Sequence, residues 1–358
     1  MGVCESVQHS KTKNQIFTKN KKNNNNYSCE STKNSSIYSK RTDENSQDYI
    51  LTSDLAIHDD INKYFNIDKE IIGNGASGFI VKGENKKGKF AIKRILKKNC
   101  KYIEDLIFEA KISKILDHKN IIKYYSIFED KEYISFVMEL GENGDLFDFI
   151  VNSPLMHIPL KICIEITEQL LSSLNYLHNT LKIIHRDLKP ENILIKLDKN
   201  NNIICKLIDF GMSAQIIEGK KLNDFLGTLN YCSPELILKK GYTEKSDIWS
   251  LGIIIFNLLT GCEAFKYQND EELIDNIKYE DIKFDNINNN EMRYLLKQML
   301  NKNDNERIDS KEALKIIQKI KENIKYSEND EKDYKVFINY LKKKMELYEF
   351  KNLIVYRK

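Results

Sequence analysis

Three glycines set the tightest constraint on this chain. In IGNGASGFIV, residues 72–81, Gly73, Gly75 and Gly78 form the pattern G-x-G-x-x-G. Without a Cβ, backbone N–H groups can come close to a phosphate. In a dinucleotide-binding βαβ unit the last glycine of this pattern opens a helix. Here FIVKG follows, β-branched and aromatic, which reads as a strand. The spacing therefore predicts a β-hairpin lid over phosphates and argues against a nucleotide-binding oxidoreductase.

The rest of the chain extends that contrast. KFAIKRI reads as a strand, and strands recur at Tyr124–Phe128 and Tyr133–Leu140. Between them, Ile103, Leu106, Ile107, Ala110 and Ile115 are spaced for a helix over Tyr102–Leu116. After Gly144 the pattern turns mostly helical, notably over Pro159–His178 and Ser246–Leu259. A small strand-rich part thus precedes a larger helical one, and no internal repeat is visible.

Three further constellations carry chemistry. FAIK, residues 90–93, puts Lys93 on a strand, sixteen residues before Glu109 on the expected helix. A lysine that touches phosphates must be oriented, and an ion pair to a helix carboxylate does this; Glu104 competes, but Glu109 has the better spacing to HKNI. In HRDLKPEN, residues 185–192, Asp187 can accept a proton from an attacking hydroxyl, Lys189 can neutralise charge on a moving phosphoryl group, and Asn192 can ligate a metal. In LIDFG, residues 207–211, Asp209 ends a strand and can hold Mg²⁺. Phosphoryl transfer leaves the protein little covalent work, so positioning and charge neutralisation carry the rate.

In these motifs and their order, residues 64 to about 322 resemble a eukaryotic protein kinase. DLKPEN resembles the serine/threonine form of the catalytic loop. The resemblance implies an α+β, two-lobed fold: an antiparallel-sheet N-lobe with one main helix over residues 64–140, and a mostly helical C-lobe over 141–322. It also implies Mg²⁺ and ATP as cofactors and protein substrates. Ile72, Gly73, Asn74, Gly75, Ala76, Ser77, Gly78 and Ile80 would cover the nucleotide, with Ala91 and Leu194 sandwiching adenine. Met138 falls at the gatekeeper position, Glu139 to Gly141 at the hinge, and Asp145 where ribose and a basic substrate residue bind. Lys93 would meet the α- and β-phosphates and pair with Glu109. Asp187 would be the catalytic base, with Asn192 and Asp209 on the metal. Glu235 of CSPE would pair with Arg307, and Asp247 would brace the catalytic loop. His118 and Trp249 read as packing residues. Ser113 departs from the pattern, standing where the family places an apolar residue. A scaffold that binds nucleotide without turnover is the alternative, but it predicts loss of Lys93, Asp187, Asn192 or Asp209, and all four are present.

The wording looks closest to the calcium/calmodulin-dependent and calcium-dependent kinases. FVMELGENGDLFDFI and GYTEKSDIWSLGIIIFNLLTG read like that group. In NDFLGTLNYCSPE, Gly227 and Thr228 align on the family's G-T. Asp224 then stands where many of its members place a phosphorylated threonine that pairs with Arg186. The EF-hand pattern D-x-[DN]-x-[DN]-G-x₅-E is absent, and DKNNNI has Ile203 where that turn needs glycine. Control by a fused calcium sensor is therefore not expected. Asp145 and Glu191 suggest a preference for basic residues upstream of the target.

The two ends differ from this core. MGVCES matches a signal for N-myristoylation at Gly2, and Cys4 sits where a palmitoyl chain can follow. One myristoyl chain binds a membrane only marginally, so a second signal is needed. Between Lys11 and Arg41 there are eight basic residues and one acidic one. Residues 1–49 are thus expected to be a disordered basic tail at the cytosolic face of a membrane, and 50–63 a linker with a short helix. Residues 323–358 are expected to be a basic amphipathic helical tail; in 333–358, Val336, Phe337, Tyr340, Leu341, Leu347 and Tyr348 recur at roughly helical spacing, so it can pack on the large lobe, dock in a substrate groove, bind a calmodulin-like sensor or lie on a membrane. A formal charge of only +3 argues against a nucleic-acid partner, and a monomer is expected. Seven scattered cysteines without C-x-x-C pairs point to a reducing compartment.

Overall fold

The computed structural model describes residues 49–74, 78–100, 103–141, 144–155 and 157–355, the last stretch in backbone only from residue 345. Gly2, Cys4, Gly75, Ala76 and Ser77 lie outside the described residues, as does nearly all of the expected basic tail. The chain divides into Met1–Tyr49 and Ile50–Lys358, and everything below concerns the second unit.

Five strands form one antiparallel sheet, in the order β1-β2-β3-β5-β4. They are β1 Asn66–Asn74, β2 Phe79–Asn85, β3 Gly88–Leu96, β4 Tyr124–Glu129 and β5 Tyr133–Glu139. Successive side chains on a strand point to opposite faces. On one face Phe90, Ile92 and Val137 join Ile61, Phe65, Val81 and Phe128 in a small apolar cluster. On the other, Ala91 pairs with Met138 and Lys93 with Phe136. That second face carries the nucleotide-site candidates, and Ala91, Phe136 and Met138 belong to the main core. Helix α1, Ile103–Ser113, follows β3 and buries Leu106, Glu109, Ala110, Ile112 and Ser113. The buried Ser113 hydroxyl donates to the Ala110 carbonyl at 2.9 Å, so the polar residue at this position is satisfied by its own helix.

The larger lobe is built from α2 Leu146–Val151, α3 Leu160–Asn175, α4 Pro234–Ile237, α5 Lys245–Thr260, α6 Asp270–Tyr279, α7 Asn290–Met299, α8 Ser310–Asn323 and α9 Glu328–Val355. Helix α5 is buried on most sides, as its run LGIIIFNLL requires, and Gly261 ends it at φ 67°. Two short antiparallel strand pairs carry the loops of the site: β7 Ile193–Leu197 forms a hairpin with β8 Ile203–Leu207, and β6 Ile183–Ile184 pairs with β9 Ala214–Gln215.

Three differences from the sequence reading have physical causes. The helix expected to run to His178 is α-helical only to Asn175 and continues as a π-helical turn over Tyr176–Leu181, which Lys182 closes at φ 57°. Residues 50–63 hold a short helix, a 3-10 turn over Ile61–Lys63, but as a linker they are packed, with Leu51, Leu55, Ala56 and Ile61 buried. Those apolar residues are too few and too irregular to show a period. In α9, Phe337, Ile338 and Leu341 are buried while Val336 is 40% exposed, so the inward face is turned slightly from the expected one. Among the described residues no helix is long and apolar enough to cross a membrane.

Candidate active site

Lys93 stands at the centre of the cleft. Its Nζ donates to Glu109 Oε1 at 2.8 Å and to Asp209 Oδ1 at 2.9 Å. Strand β3 supplies the lysine, α1 the glutamate, and the loop after β8 the aspartate. Burial disfavours charge on Lys93, but Asp209 and Glu109 outweigh it and hold the ammonium above its ordinary value. Burial pushes the Glu109 carboxyl up, against the pull of Lys93. Lys93 in turn holds Asp209 down at about 2, against burial. Asp209 is therefore ionised at neutral pH. Its backbone lies at φ 61°, a left-handed conformation uncommon outside glycine, which turns it toward the lysine.

Asp187 lies on the loop between β6 and β7. Its Oδ2 accepts from Lys189 Nζ at 2.7 Å and Asn192 Nδ2 at 3.0 Å, and its Oδ1 from the Thr228 hydroxyl at 3.1 Å. Asn192 Nδ2 also donates to the Asp187 carbonyl at 2.8 Å. With the amide nitrogen so used, the Asn192 side-chain oxygen is the atom suited to a hard cation. The ionised oxygens of Asp209 and the carbonyl of Asn192 are the donor types Mg²⁺ takes, so the residues fit that ion.

The loop is braced from inside the large lobe. Asp247 Oδ2 accepts from His178 Nε2 at 2.8 Å and from the His185 amide at 2.9 Å, and Oδ1 accepts from the Arg186 amide at 3.0 Å. Burial pushes the Asp247 carboxyl up, but His178 and these amides more than offset it. His178 is a partner that spacing did not reveal, because it comes from the π-helical turn. Arg186, at φ 71°, points its guanidinium to Asp224, with Nη1 3.3 Å from Oδ2, and to the carbonyls of Met212 and Ser213. Glu235 and Arg307 meet as a buried bidentate pair at 2.7 and 2.9 Å.

The adenine-side candidates gather between the lobes. Gly73 faces Ile80: a Cβ there would lie 3.5 Å from Ile80 Cδ1. Ile72 and Asn74 are exposed on β1, and Ala91 and Met138 are buried. Gly78 has no alternative, since a Cβ would stand 2.2 Å from the Arg94 carbonyl oxygen. Gly141 is less confined: a Cβ would meet Leu194 Cδ1 at 2.5 Å, the end of a side chain that can turn aside. Leu194 also forms a bridge with Asp145, the N-cap of α2, whose Oδ1 accepts from the Asp148 amide at 2.9 Å. Burial raises the Asp145 carboxyl to about 6, with the Asp148 amide opposing. At the hinge Glu139 is clamped by Lys196 at 2.8 Å and Lys206 at 2.6 Å. Neither lysine was singled out from the sequence, since no motif holds them.

One cation approaches from the far end of the chain. Lys344, on α9, places Nζ 4.3 Å from the Phe149 ring centroid. Burial lowers its affinity for a proton, and Asp148 and Asp145 act in the opposite direction.

Comparison with known proteins agrees with this geometry. The model of the protein kinase domain matches residues 66–317. Calcium-dependent protein kinase 4 of Plasmodium berghei (strain Anka) is 35% identical over 254 residues, 68% of this chain and 47% of that protein. Calcium-dependent protein kinase 5 of the same organism is 39% identical over 261 residues, 71% of this chain and 46% of that protein. Calcium-dependent protein kinase 3 of Plasmodium yoelii yoelii is 34% identical over 269 residues, 73% of this chain and 49% of that protein. The chain thus spans about half the length of the curated relatives it matches. With a two-lobed fold, a lysine bonded to the helix glutamate and the loop aspartate, and a family match over most of its length, the chain belongs to the protein kinase family and is related to the calcium-dependent protein kinases.

Proposed function

We propose that this chain transfers the γ-phosphate of ATP to serine and threonine hydroxyls of proteins. The observation that carries the reading is Lys93 bonded at once to Glu109 and Asp209. Asp187 accepts the proton of the attacking hydroxyl, and Lys189 offsets charge on the phosphoryl oxygens. Thr228 and Asn192 hold the Asp187 carboxylate in one orientation. Lys93 orients the α- and β-phosphates under the glycine hairpin. Asn192 and Asp209 would hold Mg²⁺, which neutralises phosphate charge when bound. A scaffold without turnover is disfavoured, because each of these groups is present and engaged.

Asp145 and Glu191 support a preference for basic residues upstream of the target. Asp224 beside Arg186 supports activity without phosphorylation of the activation segment. Gly2, Cys4 and the lysines after them support attachment to a membrane's cytosolic face, for which Gly2→Ala should shift the protein into the soluble fraction. The relatives' names raise control by calcium. A calmodulin-like sensor acting on residues 333–358 would supply such control.

The test is phosphate transfer from Mg-ATP to a basic Ser/Thr peptide by the full-length chain, in chelator and in calcium plus calmodulin, beside Asp209→Ala. Transfer that Asp209→Ala abolishes is the expected result. Equal transfer by wild type and Asp209→Ala would overturn the reading. Activity only with calmodulin would assign the switch to the C-terminal helix.

A further inference from the structure

A carboxylate far from the cleft is buried more completely than any in it. Glu129, the last residue of β4, has no exposed surface. It is not paired only with a side chain. Its Oε1 accepts from the Ile50 amide at 2.6 Å and its Oε2 from the Leu51 amide at 2.8 Å. Lys97 Nζ lies 2.8 Å from Oε1, and His58 Nε2 lies 3.9 Å from Oε2. A buried carboxylate is costly unless such donors surround it. This one has them, and two are the backbone of a segment 78 and 79 residues away in sequence.

That segment, residues 50–60, is a strap with two attachments. Its far end joins the sheet: the Ile57 amide donates to the Ile127 carbonyl at 2.8 Å and the Glu129 amide to the Ile57 carbonyl at 2.9 Å. Its middle meets the end of α1, where Lys114 donates to the Asp54 carbonyl. Leu51, Leu55 and Ala56 are buried in the main core, as are Ile112 and Leu116 at that end of the helix. Helix α1 carries Glu109, and Glu109 must stay within reach of Lys93.

We propose that Glu129 is a positioning residue for the catalytic ion pair. By holding the strap, it fixes the C-terminal end of α1 and so keeps Glu109 on Lys93. This deepens the kinase reading and rests on it. If the strap's anchor fails, the helix loses one side of its packing while the substrate groove stays intact. The effect therefore falls on turnover and not on peptide affinity.

The test uses the full-length chain, with Glu129→Gln and, separately, Lys114→Met, which removes the hydrogen bond between strap and helix end without disturbing the buried carboxylate. Amide hydrogen exchange and steady-state kinetics are measured on each, with Glu129→Asp as the conservative variant. Expected for both is a loss of protection of about tenfold or more at Leu106–Ile112, with α5 unchanged. A fall in kcat of about fivefold should accompany it, with KM for the peptide unchanged and partial recovery in Glu129→Asp. Should Glu129→Gln fail to fold, Lys114→Met carries the test. Faster exchange confined to residues 50–60, with α1 protection and kcat at wild-type values, would overturn the proposal. Exchange reports the coupling even if the wild type shows no transfer, so failure of the kinase reading and failure of the strap are told apart.

Discussion

Arg186 Nη1 stands 3.3 Å from Asp224 Oδ2, with the arginine side chain buried and the aspartate 69% exposed. The pair links the catalytic loop to the activation segment with no phosphate involved. A half-exposed pair of this kind is worth about 0.5–1 kcal/mol, which converts to about two- to fivefold. Asp224→Ala is therefore expected to lower kcat by that factor, and phosphatase treatment of the wild type to leave it unchanged. Initial rates on a basic peptide check both. An unchanged rate in Asp224→Ala would remove the pair from the account of activation.

Asp145 gives the proposed substrate groove a pH dependence. Burial raises its carboxyl to about 6, above the ordinary value of 3.8. A raised acid is neutral below that value and charged above it. Attraction for a basic substrate residue should therefore be full at pH 7 and fade as pH falls through about 6. KM for a basic peptide is expected to rise over that interval, and Asp145→Asn to flatten the profile at the high-KM level. Peptide KM measured from pH 5 to 8 decides this; an identical profile in the variant would assign the change to another group.

Lys344 is seated over the Phe149 ring and feels the charge of Asp148 and Asp145 without a hydrogen bond to either. If it competes with a basic substrate residue, Lys344→Ala should lower peptide KM by about two- to fivefold with kcat unchanged, the scale of one partly exposed charge contact. This substitution is cleaner than removing the helix, because Phe337 and Leu341 are buried and truncation would expose the core they cover. Equal KM in variant and wild type would leave α9 as a packing element alone.

The Glu235–Arg307 pair is a stability element. The arginine side chain is fully buried, and its guanidinium lies 5.2 Å over the Trp249 ring. Glu235→Gln strands a buried charge, so a loss of about 3–5 kcal/mol is expected. Urea unfolding of both proteins measures it. A difference within the error of the midpoint would show that the pair contributes little.

Much of the cleft was legible because its chemistry is written in short segments. The strand after the last glycine distinguished a hairpin from a helix opening, and the β1–β2 pairing follows that reading. HRDLKPEN places Asp187, Lys189 and Asn192 within six residues, so local backbone geometry brings them together almost regardless of the rest. Lys93 and Glu109 sit one element apart, which made their partnership a matter of counting.

What the sequence by itself determined is thus the set of candidate catalytic groups and the order of strands and helices that presents them. Only the tertiary structure decided which charges share a buried environment. Asp209 drawn onto Lys93, His178 turned onto Asp247 and Glu129 closed over Ile50 and Leu51 all join distant segments. The physical reason is that a charge can leave water only where several donors or acceptors converge. That convergence is set by packing across the core, and no short pattern of residues encodes it.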